Sequence, residues 1–245
     1  SESLAIPDGI HLLRVEEEYR LELREIRFDS FMLKQIIQNG VPSGFQNSVI
    51  AIANVFVQSN INAFGKMAMA GCGSYSKIEG FAFLPVTCFT MALTTFVSQN
   101  LGAKQYDRAK KGAKFGVLCS IAIAELIGII IYAAAPILIT AFNRDPDVVH
   151  YGVMQARIIA LFYCLLAFSH CIAAVLRGSG NASVPMIVML CDWCLFRVSY
   201  ITVAVRILPD IRVIFWAYPL TWSISSVIFL YLFLRGKWMY GFEKS

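Results

Sequence analysis

Charge is scarce in this chain. Only 15% of its 245 residues are Asp, Glu, Lys or Arg, against about a quarter in an ordinary soluble domain. That deficit excludes a solvated surface of the usual extent. Histidine is scarcer still, and His11, His150 and His170 are scattered. No metal cluster or nucleophile–base arrangement can be assembled from them, so an enzyme is not expected. Seven cysteines occur, Cys72, Cys88, Cys119, Cys164, Cys171, Cys191 and Cys194. They fall mostly in apolar stretches without a secreted framework, and the Cys191/Cys194 pair has no nearby His or further Cys. They read as small buried hydrophobes rather than metal ligands or redox groups. The net charge of +5 sits between apolar stretches and forms no basic face interleaved with aromatics, which excludes nucleic acid as a partner. The chain opens at Ser1 with neither an initiator methionine nor a signal-peptide pattern, and reads as a segment of something longer.

Apolar residues are what the chain has in excess. They make up 58% of it, with a mean hydropathy of +0.63. Val117–Ile139 holds one acidic residue, Glu125, and Val213–Leu234 holds none. About 18 or more apolar residues in a helix rising 1.5 Å per residue cross a bilayer's hydrocarbon. Six spans are expected, at Ile36–Asn60, Ala68–Val97, Ala113–Phe142, Val148–Leu176, Val184–Val205 and Ile211–Leu234. The fold class is therefore an all-α membrane protein, a six-helix transmembrane bundle over 35–245. Residues 1–34 differ, with Glu16, Glu17, Glu18, Arg20, Glu22 and Arg24 marking an amphipathic surface helix or extended linker beside the bilayer.

Loop charges set the orientation. The loop after the second span holds Lys104, Arg108, Lys110, Lys111 and Lys114 against Asp107, and the tail adds Arg235, Lys237 and Lys244. The opposite loops hold Lys66, Arg144, Arg206 and Arg212, offset by Asp145, Asp147 and Asp210. The positive-inside bias puts both termini and the Lys104–Lys114 loop in the cytoplasm of a multi-pass plasma (inner) membrane protein.

Polar groups inside the spans are the candidate functional residues. Gln46, Asn54 and Ser59 are expected in one broad sector of the first helix. Either they bond neighbouring helices, or they line a water-filled cavity. Lys77 and Glu79 stand two apart and point to nearly opposite sides of the second helix, so each needs its own partner. Glu79 is the best candidate for a cation or protonation site. Asp192 and Arg197 are five apart and read as a structural pair near a helix end, while Arg157 is placed early enough to reach an interface.

Five stretches carry a family resemblance: GVPSGFQNS (Gly40–Ser48), SNINAFG (Ser59–Gly65), KIEGFAFLP (Lys77–Pro85), VSQNLGAKQYDRAKKG (Val97–Gly112) and AAVLRGSGNASVPM (Ala173–Met186), with Phe196-Arg197 after them. In this order they resemble the second half of a multidrug and toxic compound extrusion (MATE) transporter, most similar to the branch common in Firmicutes. The resemblance implies twelve helices in two six-helix lobes around a central cavity. It implies a secondary antiporter that exports organic cations or drugs against sodium or protons by alternating access, with no other cofactor. This chain is then the C-terminal lobe, and residues 1–34 are implied to be a cytoplasmic inter-lobe linker. Its partners are the missing N-terminal lobe or a second half-size protomer, the lipid bilayer and small organic cations. Substrate contacts fall to Gln46, Asn54, Ser59 and Glu79, and ion coupling within this lobe to Glu79. The family's best-attested coupling aspartate lies in the other lobe. Ile50 stands where some relatives carry a glutamate, and no acid occurs from Val149 to Leu176. The alternatives are a lipid-linked oligosaccharide flippase of the same superfamily, which would favour a more cationic cavity, and a membrane scaffold without transport activity.

Overall fold

The structure, a computed structural model, describes residues 29–235 and the pair 238 and 239. The charged segment ahead of residue 29, His11, and the tail lysines Lys237 and Lys244 lie outside the described residues. Packing divides the chain between Gln38 and Asn39, and the bundle below is the part from Asn39 onward.

The described residues contain helices and turns and no strand. Helix α1 is Ser30–Asn62, α2 is Lys66–Gly102 and α3 is Tyr106–Phe142. Then α4 (Pro146–Ile159) and α5 (Tyr163–Gly178) form one rod broken by a 3₁₀ turn at Ala160–Phe162. A second rod comprises α6 (Ser183–Met189), a π-helical stretch at Leu190–Phe196 and α7 (Arg197–Ile207), and α8 is Ile211–Leu234. Five rods, from α2 onward, are long and apolar enough to cross a membrane. Helix α1 has the length, at 33 residues. Large apolar side chains such as Ile52, Phe81, Leu118, Ile137 and Val227 are exposed on the bundle's outside, as a lipid-facing surface requires.

The helices overrun the expected spans. The turn after α2 needs only residues 103–105, so Arg108, Lys110, Lys111 and Lys114 sit on the first turns of α3 rather than in a loop. Lys104 takes a left-handed φ of 58°. Its N–H donates to the Leu101 carbonyl and the Gln105 N–H to the Asn100 carbonyl, which satisfies carbonyls that the helix end leaves orphaned. The turn after α5 repeats this chemistry. Gly180 has φ 83°, its N–H donates to the Arg177 carbonyl, and the Asn181 N–H donates to the Leu176 carbonyl. The two turns thus share one backbone geometry. At the opposite end of the bundle, the Asp145 and Asp210 carboxylates accept from the N–H groups of Asp147 and Arg212 and start α4 and α8.

Buried apolar residues form three clusters along the bundle. One, near the basic turn, gathers Val97, Ala113, Ile172, Val175 and Phe229. A middle one gathers Tyr75, Ile131, Ile159, Leu166 and Trp222. The third, at the far end, gathers Val57, Ile61, Cys72, Ile201 and Phe215. Between helices, backbones approach closely where side chains are small, the usual route to packing in lipid. A Cβ on Gly71 would stand 2.6 Å from the Val148 carbonyl of α4. A Cβ on Gly128 of α3 would collide with the Ala160 carbonyl at the 3₁₀ turn.

That turn explains one intramembrane charge. Glu125 lies about one turn before Gly128, and its Oε2 accepts the Cys164 N–H at 3.2 Å. The carboxylate holds a backbone donor at the α4–α5 break. The cysteines are all free among the described residues, but only Cys72 and Cys171 are fully buried. Cys88 and Cys191 are exposed on helix faces, which corrects the expectation of buried hydrophobes at those two positions.

Candidate functional site

Gln46 and Glu79 occupy separate neighbourhoods. The buried stripe of α1 runs through Gln46, Ala53, Val57 and Ile61, at helical spacings of seven, four and four. At about 100° per residue, Asn54 and Ser59 rotate well away from Gln46, and both are exposed. The expected single sector therefore separates into one buried amide and two exposed polar groups. The Gln46 amide donates to Met189 Sδ at 2.7 Å.

Gln46 lines a cavity of about 390 Å³ with Phe83, Thr87, Thr90, His170 and Arg177 among its walls. The first helix supplies no charge here, as the sequence suggested, but α5 contributes an arginine and a histidine, and no lining residue is acidic. The cavity is thus more cationic than the α1 stripe alone implied. Sequence reading missed Arg177 and His170 because they lie more than 120 positions from Gln46 and share no motif with it.

Glu79 is half-buried on α2. It interacts electrostatically with Arg197 of α7 and with the phenols of Tyr75, Tyr163 and Tyr218. Tyr75 and Tyr163 share a hydroxyl–hydroxyl hydrogen bond of 2.8 Å. Lys77 leaves in another direction, with its ammonium 5.4 Å from the Phe142 ring centre, as the two-residue spacing requires.

Arg197 is the residue that organises this second neighbourhood. It is 1% exposed, and its guanidinium lies between two aromatic rings, 4.6 Å from Trp193 and 4.7 Å from Tyr218. Its Nε donates to Thr221 Oγ1 at 3.4 Å, and it also interacts with Asp192. Neither acid forms an ion pair with it at contact distance: among the described residues Asp210–Arg212 is the salt bridge within 4.0 Å. Asp192 and Arg197 are both buried in the middle of the α6–α7 rod, not near a helix end. The π-helical stretch causes this register, because a widened turn rotates Asp192, Trp193 and Cys194 relative to a regular helix; such stretches are frequent at functional positions. A buried arginine stabilised by aromatic faces and a hydroxyl holds its charge without a tight counter-ion.

One side chain joins the two neighbourhoods. The Trp193 ring packs edge-on against His170 at 5.5 Å while its face carries Arg197. His170 in turn meets Phe83 at 5.7 Å. A continuous set of contacts therefore runs from the Gln46 cavity through His170 and Trp193 to Arg197, and Arg197 interacts with Glu79 through charge rather than contact. Among the described residues no group of three or more His, Cys, Asp or Glu is placed to hold a metal.

Comparison with known proteins is consistent on the fold. The MatE family model matches residues 42–202. The probable multidrug resistance protein NorM of Thermotoga maritima is 27% identical over 216 residues, covering 84% of this chain and 44% of the relative. The FAD transporter of Shewanella oneidensis is 22% identical over 91% of this chain and 48% of its own length. Among solved structures, a MATE protein in complex with MaL6 superposes with a TM-score of 0.87 at 17% identity, covering all of this chain and 55% of that one. The chain spans less than half the length of these two curated relatives.

Proposed function

The chain belongs to the MatE family, whose members are membrane transporters and not enzymes, and on that premise we propose that it forms the C-terminal lobe of a twelve-helix antiporter. Its partner is an N-terminal lobe or a second half-size copy, and residues 1–34 act as the linker between lobes. It resides in the plasma (inner) membrane with both termini cytoplasmic, and it exports a bulky organic solute against sodium or protons. The observation that carries this reading is the packing of the Gln46 cavity wall, through His170 and Trp193, onto Arg197, whose charge interacts with Glu79. An ion that binds Glu79 alters its interaction with Arg197, Arg197 leans on Trp193, and Trp193 packs against His170 in the cavity wall. Ion binding shifts the balance of inward and outward openings only by its preference for one of them. Packed side chains from the cavity wall to Arg197, and the charge interaction from Arg197 to Glu79, supply a route for that preference.

The multidrug resistance relative supports a drug as the exported solute, and an organic cation is the class the family resemblance implies. A second reading is favoured by the cavity itself: Arg177 faces it with no acid, which suits an anionic solute, and one relative is a FAD transporter. Proteoliposomes holding the chain in its native assembly, with imposed sodium or pH gradients, test both. Wild type is expected to move ethidium when one gradient is applied, and Glu79→Gln is expected to lose that gradient dependence by about tenfold or more. Unchanged gradient-driven transport by Glu79→Gln would remove Glu79 from the coupling site. Movement of a flavin nucleotide but not ethidium, abolished by Arg177→Gln, would select the anionic reading.

A further inference from the structure

A second, larger cavity lies at the end of the bundle opposite the basic Lys104–Lys114 segment. It encloses about 750 Å³ between α3, α4 and α8, with Pro136, Val153, Ile158, Arg157, Arg212 and Trp216 among its lining residues. Helices α1 and α2 contribute nothing to its lining, so it is separate from the Gln46 cavity. Two features of its walls are out of place for a lipid-facing crevice. Arg157 is exposed although it lies 11 residues beyond Pro146, about 16 Å along the helix axis. Its guanidinium sits over the Tyr132 ring at 5.8 Å and has no salt-bridge acid among the described residues. The second feature is that none of the lining residues is acidic, while Arg157 and Arg212 are basic.

The acids nearby are engaged elsewhere or weakly held. Asp145 caps α4 through the Asp147 N–H. Asp210 lies 4.0 Å from Arg212, with both side chains more than half exposed, a pairing that water and salt weaken readily. An arginine exposed at this depth is costly unless an anion or water accompanies it. The remaining walls are apolar, and Trp216 is half-exposed near the start of α8, where tryptophan prefers a membrane–water boundary. A ligand that meets both demands is anionic at one end and hydrocarbon at the other.

We propose that this cavity binds an anionic phospholipid of the adjacent leaflet, its phosphate held by Arg157 and Arg212 and an acyl chain laid along Val153, Ile158 and Trp216. Arginine matches a phosphate with paired N–H donors, and the cavity's size is within the range of small-molecule sites. The lipid satisfies the exposed arginine at this depth without an acid from the protein.

Native mass spectrometry of the chain in its native assembly tests this, after release from a non-ionic detergent containing equal amounts of phosphatidylglycerol and phosphatidylcholine. The expected result is retention of phosphatidylglycerol over phosphatidylcholine by about tenfold or more. The Arg157→Gln/Arg212→Gln variant is expected to reduce that preference to parity, while Arg157→Lys/Arg212→Lys retains part of it. Equal retention of the two lipids by unaltered protein would overturn the proposal, as would an unchanged preference in the glutamine variant. Displacement of the retained lipid by soluble glycerol phosphate would show a phosphate site rather than a lipid site and would also overturn it. Should the glutamine variant fail to fold, the lipid preference of the unaltered protein still decides.

Discussion

Arg197 carries the largest burden of any single residue. Its charge is held by two aromatic faces, one hydroxyl and two acids at longer range. Removing a buried charge from such a set leaves the acids uncompensated, which costs about 3–5 kcal/mol. Arg197→Leu is expected to destabilise the folded protein by that order in a detergent unfolding titration, and Glu79→Gln/Arg197→Leu by less than the sum of the single changes. Additive losses would show that the two residues act independently. The sequence makes Glu79 legible as an unpaired acid in an apolar span, and it shows Arg197 as a charge. It does not reveal that their charges interact, because they are 118 positions apart and the rotation of Arg197 depends on the π-helical stretch at Leu190–Phe196. No proline or glycine marks that stretch, so periodicity alone assigns it to a regular helix.

At the scale of elements, apolar run lengths fix where the rods lie to within a few residues, and the two basic or glycine-bearing turns announce their ends. The same reasoning places basic residues in loops that turn out to be helix. A left-handed residue closes α2 within three positions, so the lysines that follow have no loop to occupy. The break between α4 and α5 is equally invisible in composition, since Ala160, Leu161 and Phe162 are ordinary helix residues. It is held by Gly128, which admits the Ala160 carbonyl, and by Glu125, which accepts the Cys164 N–H. Glu125→Leu is expected to cost about 1–3 kcal/mol, the penalty for an unsatisfied buried donor, while Glu125→Gln keeps an acceptor and costs less. Gly128→Val is expected to be more damaging than Gly73→Val, because a side chain at 73 meets nothing within 4 Å. Thermal melts in detergent rank these variants, and equal melting of Gly128→Val and Gly73→Val would contradict the close approach at Ala160. At the other turn, Gly180→Ala forces a left-handed alanine and is expected to cost about 1 kcal/mol.

For the molecule as a whole, one physical arrangement underlies the rest: apolar rods that cross lipid and put the basic Lys104–Lys114 segment at the start of α3 and the Asn143–Asp147 segment at its other end on opposite sides. The Gln46 cavity, the Glu79–Arg197 neighbourhood and the basic cavity near Arg157 gain their meaning from that placement. Site-directed labelling tests it most directly. In a cysteine-free background, Lys110→Cys and Arg144→Cys report the two ends of α3, and both positions are exposed. A membrane-impermeant maleimide applied to intact cells is expected to label Arg144→Cys and to reach Lys110→Cys only after permeabilisation. Labelling of both positions from the same side would contradict a membrane-crossing α3, and labelling of Lys110→Cys alone from outside would invert the orientation.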